Sequence, residues 1–226
     1  MGDTLQTIWR GFDFSYLLDI LLGIIPSLFC ITLHELAHGY TAYRLGDDTA
    51  QKAGRLTLNP IKHLDPIGLL MMLVFHFGWA KPVPVNMFKF KHPKQGMAAT
   101  AFAGPLCNLL ITVVFLLLYG LLYRPLDGSS FGDTVLELLT LTAYMSLGLC
   151  IFNLLPIPPL DGSKVLFSLV PDKAYLKLMQ YERYGSVLLL LLVWSGFLGN
   201  PLSRLIRTAF DTLFPIAEAA FHLVNG

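Results

Sequence analysis

Residues 16–33, YLLDILLGIIPSLFCITL, run straight into His34-Glu35-Leu36-Ala37-His38 and on through Gly39-Tyr40-Thr41-Ala42-Tyr43. An apolar stretch of this length reads as a membrane-spanning helix, here over about 16–43. In lipid that helix must satisfy its backbone internally. It also carries three ionisable side chains within five positions. Ionisable groups at membrane depth are costly, and they persist where a partner compensates them. In a helix, His34 and His38 lie one turn apart on one face, with Glu35 beside them. That spacing is the HExxH arrangement of zinc hydrolases: two imidazole ligands and a carboxylate general base. The plainer reading is a pair of hydrogen-bonded helix histidines, with Glu35 paired to Arg44 or Lys52. A divalent cation accounts for all three groups together, and one zinc per chain is the expectation.

A catalytic zinc takes three protein ligands and leaves one position open. The segment Asn153-Leu154-Leu155-Pro156-Ile157-Pro158-Pro159-Leu160-Asp161-Gly162 offers a third. Its prolines end a helix and hold an extended chain, and Gly162 permits a tight turn. Asp161 is therefore a candidate oxygen ligand. The alternative is that Asp161 caps a helix beginning near Ser163.

Composition agrees with a membrane protein. Charged residues are 14% of the 226, and 54% are hydrophobic, against about 25% charged in soluble domains. The formal net charge of +1 gives no electrostatic reason for a nucleic-acid partner. Cys30, Cys107 and Cys150 are scattered through apolar runs, as packing residues are, without disulfide or zinc-finger spacing. The start of the sequence lacks a basic region and cleavage site, so no removable signal peptide is expected. No internal repeat is visible, and 1–226 reads as one membrane domain.

Further spans are expected at about 97–123 and 134–157, with a shorter apolar stretch at 185–200. Residues 64–79 read as a re-entrant or buried segment. Residues 201–224 mix Arg204, Arg207, Asp211 and Glu218 with apolar side chains, as an interfacial amphipathic helix does. Arg55-Leu56-Thr57-Leu58 and residues 81–91 look extended. The second alternates apolar and basic residues, and predicts an edge strand able to pair with an unwound substrate. The fold class expected is thus an all-α polytopic membrane protein of about four to six membrane-embedded helices. A small β-strand element would lie between the first two spans. Lysines and arginines cluster in the connection after the first span and again after the third. By the positive-inside rule both face the cytoplasm, which puts the metal toward that side.

Three motifs together, HELAH at 34–38, GPLCN at 104–108 and NLLPIPPLDG at 153–162, resemble the site-2 protease family of intramembrane zinc metalloproteases. The segment TLNPIKHLDPIG at 57–68 looks like the short prokaryotic members. The resemblance covers about residues 16–170, leaving 171–226 as C-terminal helices. It implies that His34, His38 and Asp161 bind zinc and that Glu35 is the catalytic acid/base. Asn153 matches the family's asparagine that helps bind the substrate carbonyl or oxyanion. It further implies a transmembrane protein substrate, a lipid bilayer, no nucleic acid, and the plasma membrane of a prokaryote. Two features depart from the family. Ala37 stands where many members have Gly, and 226 residues leave no room for a PDZ-like or C-terminal regulatory domain.

Asn108 has two readings of equal weight, helix–helix packing or substrate contact. His63 reads as a loop histidine that either is solvated or supports the site. His76, His92 and His222 have no partner spacing. Two other functions fit intramembrane ligands: a divalent-metal transporter, and a non-catalytic metal-stabilised chaperone. Transport leaves Glu35 unexplained, and only activity separates the chaperone from the protease.

Overall fold

The computed structural model describes residues 14–75 and 79–225. The chain is mostly helical: α1 Phe14–Arg44, α2 Thr49–Lys52, α3 Pro66–Phe75, α4 Pro93–Leu126, α5 Ser130–Asn153, α6 Asp161–Phe167, α7 Asp172–Trp194, α8 Gly199–Leu213 and α9 Pro215–Asn225. Three helices have the length and apolarity to cross a bilayer, with mean hydropathies of 1.2 (Leu22–Arg44), 2.3 (α4) and 1.8 (α5). The start of α4 is set by Pro93 at its first position, where a missing N–H costs nothing. The start of α5 is set by Ser129, whose hydroxyl accepts the N–H of Gly132.

α1, α4 and α5 pack on one another. Their shared interior is polar in places, and two of its hydroxyls tie α4 to α5. Thr112 Oγ1 donates to the carbonyl of Ala143, and Ser146 Oγ donates to that of Asn108. Unpaired polar groups in lipid are expensive, so these bonds fix the register of α4 against α5.

A fourth candidate crossing is the pair Tyr184–Trp194 and Gly199–Asn225, bent by 86°, which takes in the residues where the sequence predicts an interfacial helix. α8 and α9 run alongside α5 and then α4. Ile206 meets Gly148, Phe210 stacks on Tyr144 at 5.3 Å, and Phe214 meets Tyr119 at 6.0 Å. Ala217 sits on Gly120, Phe221 stacks on Tyr123 at 5.8 Å, and Asn225 reaches Arg124. Phe214 keeps helical angles of −59° and −32° between the two helices. The 201–224 region therefore follows the spans from the level of Gly148 to the far end of α4. The apolar end of α7 meets this rod at 86°.

The expected β element is corrected. Among the described residues there is no strand, only an isolated antiparallel bridge between Leu64 and Ala80. Residues 56–58 are bends, with the Thr57 carbonyl accepting from His63 Nε2. Residues 81–86 are extended but unladdered, and Met87–Lys89 is a 3-10 turn capped by the Asn86 side chain. Two physical causes are visible. Pro82 and Pro84 lack donors on one edge. The other edge is already taken: Lys81 N–H donates to the His63 carbonyl, Arg55 donates to the Lys81 carbonyl, and Val83 N–H donates to Glu35. Leu64 bridges to Ala80, and Gly68 lies against the Trp79 backbone. His76 lies outside the described residues.

Candidate active site

α1 presents His34 and His38 on the face that meets α4. Gly104 of α4 lies over both rings. A Cβ there would fall 2.5 Å from His38 Nε2 and 2.6 Å from His34 Cε1, so only glycine lets the helices close over the imidazoles. Each ring is held through its Nδ1. His38 Nδ1 lies 2.7 Å from the Thr100 carbonyl, which accepts a proton only, so Nδ1 carries it and Nε2 is left as a lone pair. His34 Nδ1 lies 3.1 Å from the fully buried Asn108 side-chain amide.

Asp161 arrives from the other side. α5 ends at Asn153, and the proline-rich turn carries the chain back so that α6 begins at Asp161 itself. Gly162 sits against the Leu154 carbonyl, an approach closed to any side chain. The cap position belongs to Leu160, so the helix-cap alternative for Asp161 does not apply. Its carboxylate turns to the histidines instead. Asp161 Oδ2 is 3.1 Å from His34 Nε2 and 3.2 Å from His38 Nε2, and the two Nε2 atoms are 2.9 Å apart. All three residues are buried.

The fit to a metal is chemical as well as geometric. Two lone-pair nitrogens and a carboxylate oxygen form the donor set of a catalytic zinc site. Ligand atoms around a tetrahedral zinc stand about 3.3 Å apart for bonds of about 2.0–2.1 Å, close to the three separations here. The Asn108 Oδ1 is buried without a partner among the described residues. An imidazole that ligates through Nε2 is protonated at Nδ1 and needs an acceptor. Turning the Asn108 amide over supplies that acceptor from the orphaned oxygen.

The cluster opens into a cavity of about 440 Å³, lined also by Glu35, Asn153, Val83 and Val85. Glu35 Oε2 accepts the Val83 N–H at 2.8 Å, and among the described residues no bond occupies its second oxygen. Asn153 donates one amide hydrogen to the Leu149 carbonyl at 3.0 Å, leaving the other. At the rim, Lys164 of α6 faces Glu182 of α7 at 3.5 Å.

The structure thus brings together His34, Glu35, His38, Asn153 and Asp161. It also brings in Asn108, against His34 rather than in the cavity lining. His63 is buried with Nε2 on Thr57, and holds the 57–64 loop outside the cluster. His92 precedes α4 and His222 lies on α9. Sequence reasoning misses the Thr100 carbonyl and the Val83 N–H, because backbone groups carry no residue signature. It also misses Lys164 and Glu182, an ordinary charge pair until the fold puts them at a cavity mouth.

Comparison with known proteins follows the same lines. Residues 125–193 match Peptidase family M50. YwhC of Bacillus subtilis is 40% identical over 88% of this chain and 91% of its own length. The chain belongs to peptidase family M50. Rip2 of Mycobacterium tuberculosis H37Rv is 28% identical over 93% of this chain and 78% of its own. The zinc metalloprotease MJ0392 of Methanocaldococcus jannaschii is 28% identical over 80% of this chain and 44% of its own. No solved structure matches. The resemblance to site-2 proteases stands on this membership. So do the enzyme class, a zinc-dependent protease, and the metal.

Proposed function

We propose that this M50 member hydrolyses peptide bonds in or near transmembrane segments of membrane-protein substrates, with His34, His38 and Asp161 as zinc ligands. The observation that carries this reading is the convergence of three buried donor atoms beside Glu35, on a helix long enough to span a membrane. A zinc ion held by His34, His38 and Asp161 would lower the pKa of water to about 7 and polarise a carbonyl. Glu35 receives the proton of the attacking water on its unoccupied oxygen and returns it to the leaving amide nitrogen. Asn153 donates its remaining N–H to the developing oxyanion. The 81–86 segment walls the cavity, and its backbone bonds to Glu35 and Arg55 keep that wall fixed while substrate enters. The whole chain acts as one integral membrane domain in a prokaryotic plasma membrane, with the metal toward the cytoplasm.

Transport explains the ligands less well. A carboxylate held by a backbone N–H beside the donor cluster is an arrangement suited to proton transfer. The deciding experiment takes purified protein in detergent with a panel of single-span substrates, with and without chelator, beside Glu35→Gln. Cleavage lost in the chelated protein and in Glu35→Gln, with zinc retained by the variant, is the expected result. Full activity of Glu35→Gln overturns the role of Glu35, and absence of cleavage across the panel overturns the protease reading.

A further inference from the structure

The rod formed by α8 and α9 packs Ile206, Phe210, Phe214, Ala217 and Phe221 onto α4 and α5, and leaves a polar row exposed beside the exposed Leu205, Leu223 and Val224. Arg204, Thr208, Asp211, Pro215, Glu218 and His222 are all exposed. Their spacings are 4, 3, 4, 3 and 4, the period of a helix–helix seam rather than of scattered surface residues. Phe210, beside Asp211, stacks on Tyr144, nine residues from one end of α5 and fourteen from the other. At about 1.5 Å per residue that is deep within the span. Arginine can reach back to the interface, but an aspartate side chain is too short to do so. Among the described residues neither Arg204, Arg207, Asp211 nor Glu218 has an ion-pair partner. Unpaired charge facing lipid at this depth is a feature that persists where something covers it.

The charge order says what covers it. Arg207 lies four residues before Asp211, and Glu218 lies four residues before His222. Each acid on the row therefore has a base one turn away. A second copy inserted with the same topology carries the same groups at the same depth. Packed row to row about a two-fold axis along the membrane normal, it meets acid with base at both levels. We propose that the exposed α8–α9 seam is a homodimer interface, in which Arg207 of each copy pairs with Asp211 of the other and Glu218 of each with His222 of the other. The interface rests on the spanning course of α8–α9 and not on the protease chemistry.

The full chain in isolated membranes tests this. In a cysteine-free background, Thr208→Cys lies on the seam, and Leu188→Cys lies on an exposed face of α7 away from it. Oxidation is expected to give a disulfide-linked dimer at position 208 at least tenfold above that at 188. Arg207→Asp alone and Asp211→Arg alone should each lower the 208 dimer about tenfold, and the two together should restore it, with zinc content reporting that each variant folds. Equal cross-linking at 208 and 188, or cross-linking at 208 only to a species of different mass, overturns the proposal. So does a folded double variant that fails to restore the dimer. Should the charge variants not fold, the 208 against 188 comparison in the otherwise unaltered chain decides alone.

Discussion

The backbone N–H of Val83 donates to Oε2 of Glu35 at 2.8 Å, so the acid beside the donor cluster is held by a main-chain group from a loop 48 residues away. Val83 stands between Pro82 and Pro84 and supplies the donor that neither neighbour has. The bond fixes one carboxylate oxygen and leaves the other toward the cavity.

Val83→Pro removes that donor. The expected outcome is a cleavage rate lower by roughly tenfold or more, the scale of a lost hydrogen bond to a charged group, with zinc content unchanged. Val83→Ala keeps the N–H and should stay near the wild-type rate. Equal rates for the two folded variants would show that the bond does not position Glu35.

Asn108 makes a different claim, because it touches a ring rather than the cavity. Replacing a residue that orients a metal-ligating histidine costs about 10–100-fold in metal affinity. Asn108→Leu should show that loss in competition with a zinc chelator. Asn108→Asp keeps an acceptor at His34 Nδ1 and should bind zinc at least as well as wild type. Unchanged affinity in Asn108→Leu would assign Asn108 to helix packing alone.

Gly104 tests the closeness of α1 and α4. Adding one methyl at a contact of 2.5 Å to His38 Nε2 forces the helices or rings apart, an overpacking cost of about 1–3 kcal/mol. Gly104→Ala should lower zinc occupancy measured by elemental analysis. Gly23→Ala on α1 meets nothing within 4 Å and is the matched control. Full occupancy in Gly104→Ala would mean that the site opens without cost.

Most of the site was legible because its side chains have chemistry: His34, Glu35 and His38 at helical spacing, and Asp161 after rigid prolines. The spans were legible from apolar length. The amphipathic pattern of 201–224 did not reveal its packing on α4 and α5, because charge on one face looks alike whether that face meets water or a partner; the contacts of Ile206, Phe210 and Ala217 show the packed side. The strand expectation failed at residues 81–91 because alternation describes side chains. A ladder needs free backbone groups, and here prolines remove some while Glu35, Arg55 and His63 occupy others.

Asp47 anchors the other end of the 81–89 segment, and its prediction concerns pH. It is fully buried, yet accepts the N–H of Asn86 at 2.6 Å, the N–H of Thr49 at 3.0 Å, and the Thr49 hydroxyl, with Lys89 at 3.5 Å. Burial alone would raise its pKa; the hydrogen bonds from Thr49 and Asn86, with Lys89, outweigh it and hold the carboxyl below its ordinary value of 3.8. A carboxyl depressed on folding stabilises the native state above its unfolded pKa, and that contribution fades as pH falls through the folded value. Asp47→Asn keeps the shape but loses the charge and part of the acceptor capacity. It should lower stability at pH 7 by about 1–3 kcal/mol and speed proteolysis of the 81–91 segment. The gap in unfolding midpoint between wild type and variant should be the same at pH 7 and pH 5, and should narrow at pH 3. A gap that widens on acidification would reverse the sign assigned to Asp47, and no gap at pH 7 would mean that the 81–89 segment is held elsewhere.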